Sequence, residues 1–403
     1  MPLRTALNYS ILAIMLLAFM ELSAHALILV SRPLFSEPIR TTDDIYREQS
    51  EHIRSWIEAD GRGRDVVDTD LGWRYRAGFQ GRRNAINSQG LRSAREFTVT
   101  APEGVIRVAA FGDSFVYGNE VANEHAWATV VDTSFDDIEV LNYGVGGYGV
   151  DQSLLKYRVE GGALSPHVVL IGFIADDIRR VVNVYQRFAS TSSGTFTKPR
   201  FALGEGGELQ LVPPPIRRLE DWIPILENPS LVTDWGEHDQ WYEPLVYENP
   251  LYDLSAAVRL ATNIWSRLDN RYLDPDRLFI GNDFNTSAVG YRLQMAIFDA
   301  FVEDVQDSGA YPVVLILPSR GELQSAFGGE TIVYAPLIEE LDRLGIVYWE
   351  ASEAFLARGK SGIDGSWFAP GGHYSPLGNR IVADWLAPKI RTLKGELLGS
   401  PGN

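Results

Sequence analysis

The chain has 403 residues, 45% hydrophobic and 22% charged, which suits one large domain with insertions or two domains. A formal net charge of −17, spread along the chain, argues against nucleic acid, whose phosphates would be repelled. With no cysteine, disulfides and thiolate metal sites are excluded, and compartment stays open on that count.

Residues 10–30, SILAIMLLAFMELSAHALILV, are apolar apart from Glu21 and His25 and are long enough to cross a bilayer as a helix. Arg4 supplies a positive flank. A cleaved signal is the rival reading, because Ala24-His25-Ala26 fits a small-x-small cleavage site. The apolar LILV beyond that site favours an uncleaved anchor within residues 1–30, with residues 10–30 expected to form one continuous helix that does not pack into the domain. Either way the rest of the chain lies outside the cytoplasm, periplasmic or extracellular, and is secreted if the signal is cleaved.

Residues 31–100 read as an N-terminal extension, an exposed helix followed by turn-rich sequence with short strand-like pieces. Strands are then expected at 105–111, 138–143, 168–173, 311–318 and 346–349, several of them continuous Val/Ile/Leu runs. Helical stretches lie between them, so the fold class is α/β, with a mostly parallel central sheet covered by helices on both sides. Residues 186–290 are Pro- and Trp-rich and read as an insertion within a domain of 101–395. DWGEHDQWYEPLVYENPLYD in that insertion suits sugar stacking, although packing of the insertion itself is the favoured reading.

The stretch AFGDSFVYG places Ser114 at the carboxyl end of a strand, where open α/β sheets carry chemistry; an ordinary helix N-cap is the alternative. Val116 breaks the G-x-S-x-G pattern, which disfavours an α/β-hydrolase elbow. A serine nucleophile needs a base. Of six histidines, His25 and His52 fall in the anchor and the extension, His125 and His167 border single elements, and His238 lies in the insertion. None pairs at metal-ligand spacing, so no metal is expected. His373 stands in the loop FAPGGHYSPLGN just before the last amphipathic helix, well placed to reach a strand-end serine.

GDSF early and GGHYSPLGN late, in this order among these strands, resemble the SGNH, or GDSL, hydrolase superfamily over about 104–185 and 291–395. The resemblance implies a three-layer sandwich with a flavodoxin-like sheet, Ser114 as nucleophile and His373 as base. It implies Gly147, with Gly146 a near alternative, as an oxyanion donor beside the Ser114 backbone N–H. The family's asparagine of the third block falls on Asp176, which as an ionised carboxylate cannot donate a hydrogen bond. Either an apolar site keeps Asp176 protonated, or it turns away while another donor serves; Asn282-Asp283 is a remote alternative. The family's Asp-x-x-His has Pro370 in place of its acid, leaving Asp364 as the nearest upstream carboxylate to orient the imidazole, or a dyad without one.

These residues lead to an ester hydrolase or O-acyltransferase that needs no cofactor. By the resemblance, its substrate is an acyl ester on a cell-surface or exported carbohydrate such as an acylated polysaccharide, and its other partner is the membrane. The alternative is a non-catalytic envelope protein that keeps the fold to bind glycan or a partner protein. Acyl group, acceptor and oligomeric state are left open.

Overall fold

The apolar runs that alternate with helical sequence line up as one five-stranded parallel sheet. In the computed structural model, which describes residues 3–30, 38–59, 62–359 and 362–399, its strands are β1 (Ile106–Phe111), β2 (Ile138–Asn142), β3 (Val168–Phe173), β4 (Tyr311–Ile316) and β5 (Tyr348–Glu350). Their spatial order is β2-β1-β3-β4-β5. That order is flavodoxin-like and puts the topological switch point between β1 and β3, where open α/β sheets bind ligands.

β1 and β3 are buried along their whole length and are apolar on both faces apart from Arg107 of β1, whose guanidinium donates to the Glu139 carboxylate at 2.7 Å. On one face Val108, Ala110, Val140, Leu170 and Leu315 pack with Trp127, Val131, Ile381 and Leu386, which come from helices Trp127–Ser134 and Pro376–Leu397. On the other face Phe111 stacks on Tyr143 at 4.4 Å and meets Tyr157 edge-on, while Phe173 meets Phe298 at 5.8 Å. Helices Val150–Glu160 and Val289–Asp307 carry Tyr157 and Phe298 and complete the third layer. The expected strand at 346–349 begins two residues late. Gly345, at φ 69°, ends the preceding helix and Ile346 N–H donates back to Leu341 O, so that residue closes the helix instead.

The described residues divide into two units. One comprises Gly61–Val182, Lys198–Arg217 and Leu278–Asn403 and holds the sheet. The other comprises Met1–Asp60, Asn183–Thr197 and Arg218–Arg277. Residues 198–217 fall with the sheet in this division and include a hairpin, Arg200–Leu203 with Leu209–Val212.

The second unit holds α1 (Leu3–Val30), α2 (Thr42–Ala59) and α3 (Ala256–Leu268), with short turns between. The insertion's aromatics pack on one another there: Trp235 meets Tyr185 at 5.3 Å and Trp222 at 6.0 Å, and Tyr242 stacks on Tyr247 at 5.5 Å. Within α1, Thr5–Val30 is long and apolar enough to cross a membrane. The helix is continuous but does not stand clear of the fold. It packs on α3, with Ala24 buried and the Glu21 carboxylate accepting from Ala256 N–H at 2.8 Å and from the Ser255 hydroxyl. A small side chain permits that close approach, and the carboxylate gains donors it would lack in an apolar exterior.

The exit from β1 has no room for a side chain at Gly112. A Cβ there would stand 2.4 Å from Val116 Cγ2 and 3.3 Å from Gly172 Cα. Gly112→Ala is therefore expected to destabilise the protein by about 1–3 kcal/mol through overpacking. A Cβ at Gly162 meets nothing within 4 Å, so Gly162→Ala should stay within about 0.5 kcal/mol of the parent. Denaturant midpoints of the two variants measure the contrast.

Candidate active site

The chain leaves β1 through Gly112 and turns at once into a one-turn helix, Ser114–Tyr117. The cap of that helix is Asp113, whose carboxylate accepts from Phe115 N–H at 2.8 Å, so Ser114 is not the N-cap. Ser114 is its first residue, and a backbone N–H at that position has no acceptor within the helix. The Ser114 hydroxyl lies 2.9 Å from His373 Nε2, although the two residues are 259 positions apart.

His373 is presented by a tight hairpin. Gly372 N–H donates to Ala369 O at 3.0 Å and Ala369 N–H to His373 O at 2.8 Å. Pro370 follows Ala369 in this turn, the position for which its fixed φ suits it. Beyond the loop, Ser375 caps the Pro376–Leu397 helix by accepting from Gly378 N–H, and Asn379 donates to Tyr374 O. Tyr374 is anchored through its hydroxyl to Pro318 O at 2.7 Å, and Phe115 packs against the His373 ring at 5.2 Å.

The third partner is Glu120, which no motif in the sequence marks. Its Oε2 lies 2.8 Å from His373 Nδ1 and accepts from His373 N–H at 3.1 Å, while Oε1 accepts from Gly371 N–H at 2.7 Å. The carboxylate therefore requires the proton on Nδ1 and leaves Nε2 as the acceptor for the serine hydroxyl. Partial desolvation acts to raise the Glu120 pKa, but the hydrogen bonds from His373 and Gly371 outweigh it and hold the carboxyl below its usual range. Asp364, expected in this place, caps the turn Gly365–Trp367 by accepting from Ser366 N–H at 2.9 Å. It is too exposed and too occupied locally to orient the imidazole, which already has Glu120.

Glu120 has a φ of 68°, a conformation unfavourable for a non-glycine residue by roughly 1–3 kcal/mol. Buried Arg92 holds the backbone around it: the guanidinium donates to Tyr117 O, to Gly118 O and, at 2.7 Å, to Val121 O. The loop after β2 is tied the same way, with Gly146 N–H donating to the Tyr75 hydroxyl at 2.8 Å and the Tyr148 hydroxyl donating to Trp73 O. The later part of the expected extension thus forms the back wall of the site. Gly147 lies in that loop at φ 84°, which favours glycine.

Asp176 follows β3 and precedes the one-turn helix Asp177–Arg180. Its side chain is 56% exposed, with its oxygens 3.5 Å from Arg179 and Arg180. The apolar setting that would keep a carboxyl neutral is not the setting found here. Its neighbour Asp177 is the buried one, accepting from Ile174 N–H at 3.1 Å, and burial pushes its pKa well up. Arg180 Nη1 reaches Asp177 at 2.8 Å, Asp113 at 3.1 Å and Tyr148 O at 2.8 Å. Asn282 and Asp283 belong to a small hairpin, Phe279–Ile280 with Asp283–Phe284, rather than to the edge of the sheet. Among the described residues no cluster of three His, Asp or Glu side chains is placed to hold a metal ion.

No protein-family model and no curated protein sequence matches the chain. Solved structures do. A member of the lipolytic protein G-D-S-L family from Veillonella parvula is 12% identical, over 72% of this chain and 99% of its own, with a TM-score of 0.34. An acetyl xylan esterase is 13% identical over 70% and 99% of the two chains, TM-score 0.36. The lipase/acylhydrolase from Enterococcus faecalis is 10% identical over 74% and 100%, TM-score 0.34. The first belongs to the superfamily that the motifs resemble, and at identities and TM-scores this low the likeness carries no inference about activity or substrate.

Two variants probe the Glu120 turn. Arg92→Met removes the guanidinium from three buried carbonyls, of which Tyr117 O keeps a donor in Asn142, and should destabilise by about 2–4 kcal/mol, read from the denaturant midpoint. Glu120→Gln tests the linkage. A carboxyl with a depressed folded pKa contributes stability above its unfolded value, near 4.3, and loses it as pH falls through the folded value. The Tm difference between the parent and Glu120→Gln should be present at neutral pH and shrink below about pH 4.

Proposed function

We propose that this chain is a serine-dependent acyl-ester hydrolase or O-acyltransferase of the SGNH type. In this reading α1 anchors it, the sheet unit lies outside the cytoplasm, and the substrate is an acylated carbohydrate. One observation carries the catalytic part: Ser114 Oγ, His373 and Glu120 form a continuous relay, with contacts of 2.9 and 2.8 Å, at the switch point of the sheet. The carbohydrate comes from the family resemblance, and the side of the membrane from the positive flank at Arg4.

In the proposed reaction Ser114 Oγ attacks the ester carbonyl while His373 Nε2 takes the hydroxyl proton. Glu120 holds the imidazole in the required tautomer and stabilises the imidazolium. The developing oxyanion is met by the Ser114 N–H and by the loop after β2 at Gly147. Collapse breaks the bond to the leaving alcohol, which receives the proton from His373 and leaves an acyl-serine. Water or a sugar hydroxyl then attacks that ester, delivering its own proton to His373; collapse breaks the bond to Ser114 Oγ, which takes that proton back from His373, and acid or a new ester is released. Asp176, turned toward two guanidinium groups, is not given an oxyanion role.

A fluorophosphonate probe should label the parent and not Ser114→Ala. On a small acetyl ester Ser114→Ala and His373→Ala should lose about 10⁴-fold or more in kcat, and Glu120→Gln roughly 10²–10⁴-fold. Asp176→Asn should change kcat by less than about threefold. Equal rates for the parent and Ser114→Ala, with no labelling, would sink the enzyme reading. A rate that rises with added sugar acceptor, with acyl-sugar as product, would assign transfer over hydrolysis.

A further inference from the structure

α3 buries polar residues on one side and exposes large apolar ones on the other, with Arg267 in its last turn the charged residue on the exposed side. Arg259 and Thr262 are buried, with the Arg259 guanidinium donating to Tyr252 O at 2.9 Å. Half-buried Asn263 donates to the Tyr252 hydroxyl at 2.9 Å, and the Ser266 hydroxyl donates to the Glu243 carboxylate. Outward stand Ile264, Trp265 and Leu268, 43%, 50% and 45% exposed, a stripe at helical spacing. Exposed Tyr272 and Leu273 continue it past the helix end, and Leu254, 81% exposed, precedes the helix. Arg271 donates to the Tyr272 hydroxyl at 3.0 Å, placing a cation beside an aromatic as membrane interfaces favour.

A helix that buries its polar groups and exposes its apolar ones is stable where the exterior is itself apolar. The neighbour of α3 identifies that exterior. α3 packs on α1, the helix whose residues Thr5–Val30 are long and apolar enough to cross a membrane, and Glu21 of α1 accepts from the first N–H of α3. Glu21 is nine residues before Val30, about 13 Å along the helix, so α3 is held alongside the last third of α1 rather than beyond its end.

We propose that the outer face of α3, with Ile264, Trp265 and Leu268, is a lipid-facing platform. It inserts at the acyl–headgroup boundary of the leaflet that holds the C-terminal end of α1. The proposal rests on reading α1 as a retained anchor, and it makes the insertion a second membrane attachment that restrains the protein at the bilayer surface.

The absence of cysteine permits single-site labelling of the full chain. Trp265→Cys and Leu268→Cys, each carrying an environment-sensitive fluorophore, are reconstituted into phosphatidylcholine vesicles with and without doxyl-labelled lipid. Leu12→Cys in α1 reports the anchor, and Glu51→Cys on exposed α2 reports solvent. The proposal expects roughly twofold or greater quenching at 265, 268 and 12, and none at 51. Quenching at 12 but not at 265 or 268 keeps the anchor and overturns the platform. Quenching at 265 and 268 but not at 12 keeps the platform and overturns the anchor. Unquenched labels at 265 and 268, with disulfide-linked dimers forming through Cys at 265, would assign the face to a second copy and overturn the proposal.

Discussion

The carboxyl edge of the sheet depends on one guanidinium. Arg180 sits where the loops after β1, β2 and β3 converge, and it answers Asp113, Tyr148 O and Asp177 together. Two carboxylates this deeply buried would repel each other and lose their hydration without a cation between them. Burial alone would lower the pKa of Arg180, but Asp177 and Asp113 hold it above its ordinary value, so the cation is secure. Asp113 in turn caps the helix that begins at Ser114. The position of the candidate nucleophile is therefore set by an electrostatic tie across three strands, and the hydrophobic layers beneath supply only the platform.

A second tie sets the base. Arg92 fixes the backbone on either side of Glu120, and the Glu120 carboxylate then gathers His373 and the amides of its hairpin. Glu120 thus does two jobs with one group. It orients the imidazole, and it stitches the loop before the last helix to the turn after Ser114. Gly371 makes this possible by having no side chain: a Cβ there would lie 2.7 Å from the Glu120 carboxylate. The unfavourable φ of Glu120 is sustained by these contacts, as backbone strain at a working site must be.

The second unit follows a different rule of burial. Its core is aromatic, with Tyr185, Phe188, Trp222 and Trp235 packed edge to face. Yet α3 turns apolar side chains outward beside the apolar helix α1. Read by hydrophobicity alone, the insertion offered sugar stacking or packing. The aromatics 222, 235, 242 and 247 went to packing, and the outward stripe on α3 lay outside both readings because its meaning depends on which face is already taken.

The sequence by itself determined the layers. Runs such as Val168–Phe173 can only be strands covered on both faces, and their alternation with helices dictates a parallel sheet. It also marked Ser114 and His373, since a strand-end serine and a histidine in a glycine-rich loop are local patterns. Only the tertiary structure decided the rest. Glu120 follows Ser114 by six positions, far in sequence from the histidine it contacts, and no local signal marks a left-handed glutamate; the paired Gly371 and Gly372 hinted only that something must come close. Asp364 was the nearer acid in sequence and spends its carboxylate on its own turn. Asp176 and Asp177 were adjacent letters of equal charge, and burial separated them, exposing one to arginines and burying the other beneath Ser114's strand end. Residues 62–100, which read as peripheral, deliver Arg92 and Tyr75 to the site. Periodicity is written into the chain because it acts between neighbours. A charge's partner is not, because the low dielectric that makes the pairing obligatory exists only once the chain has folded around it.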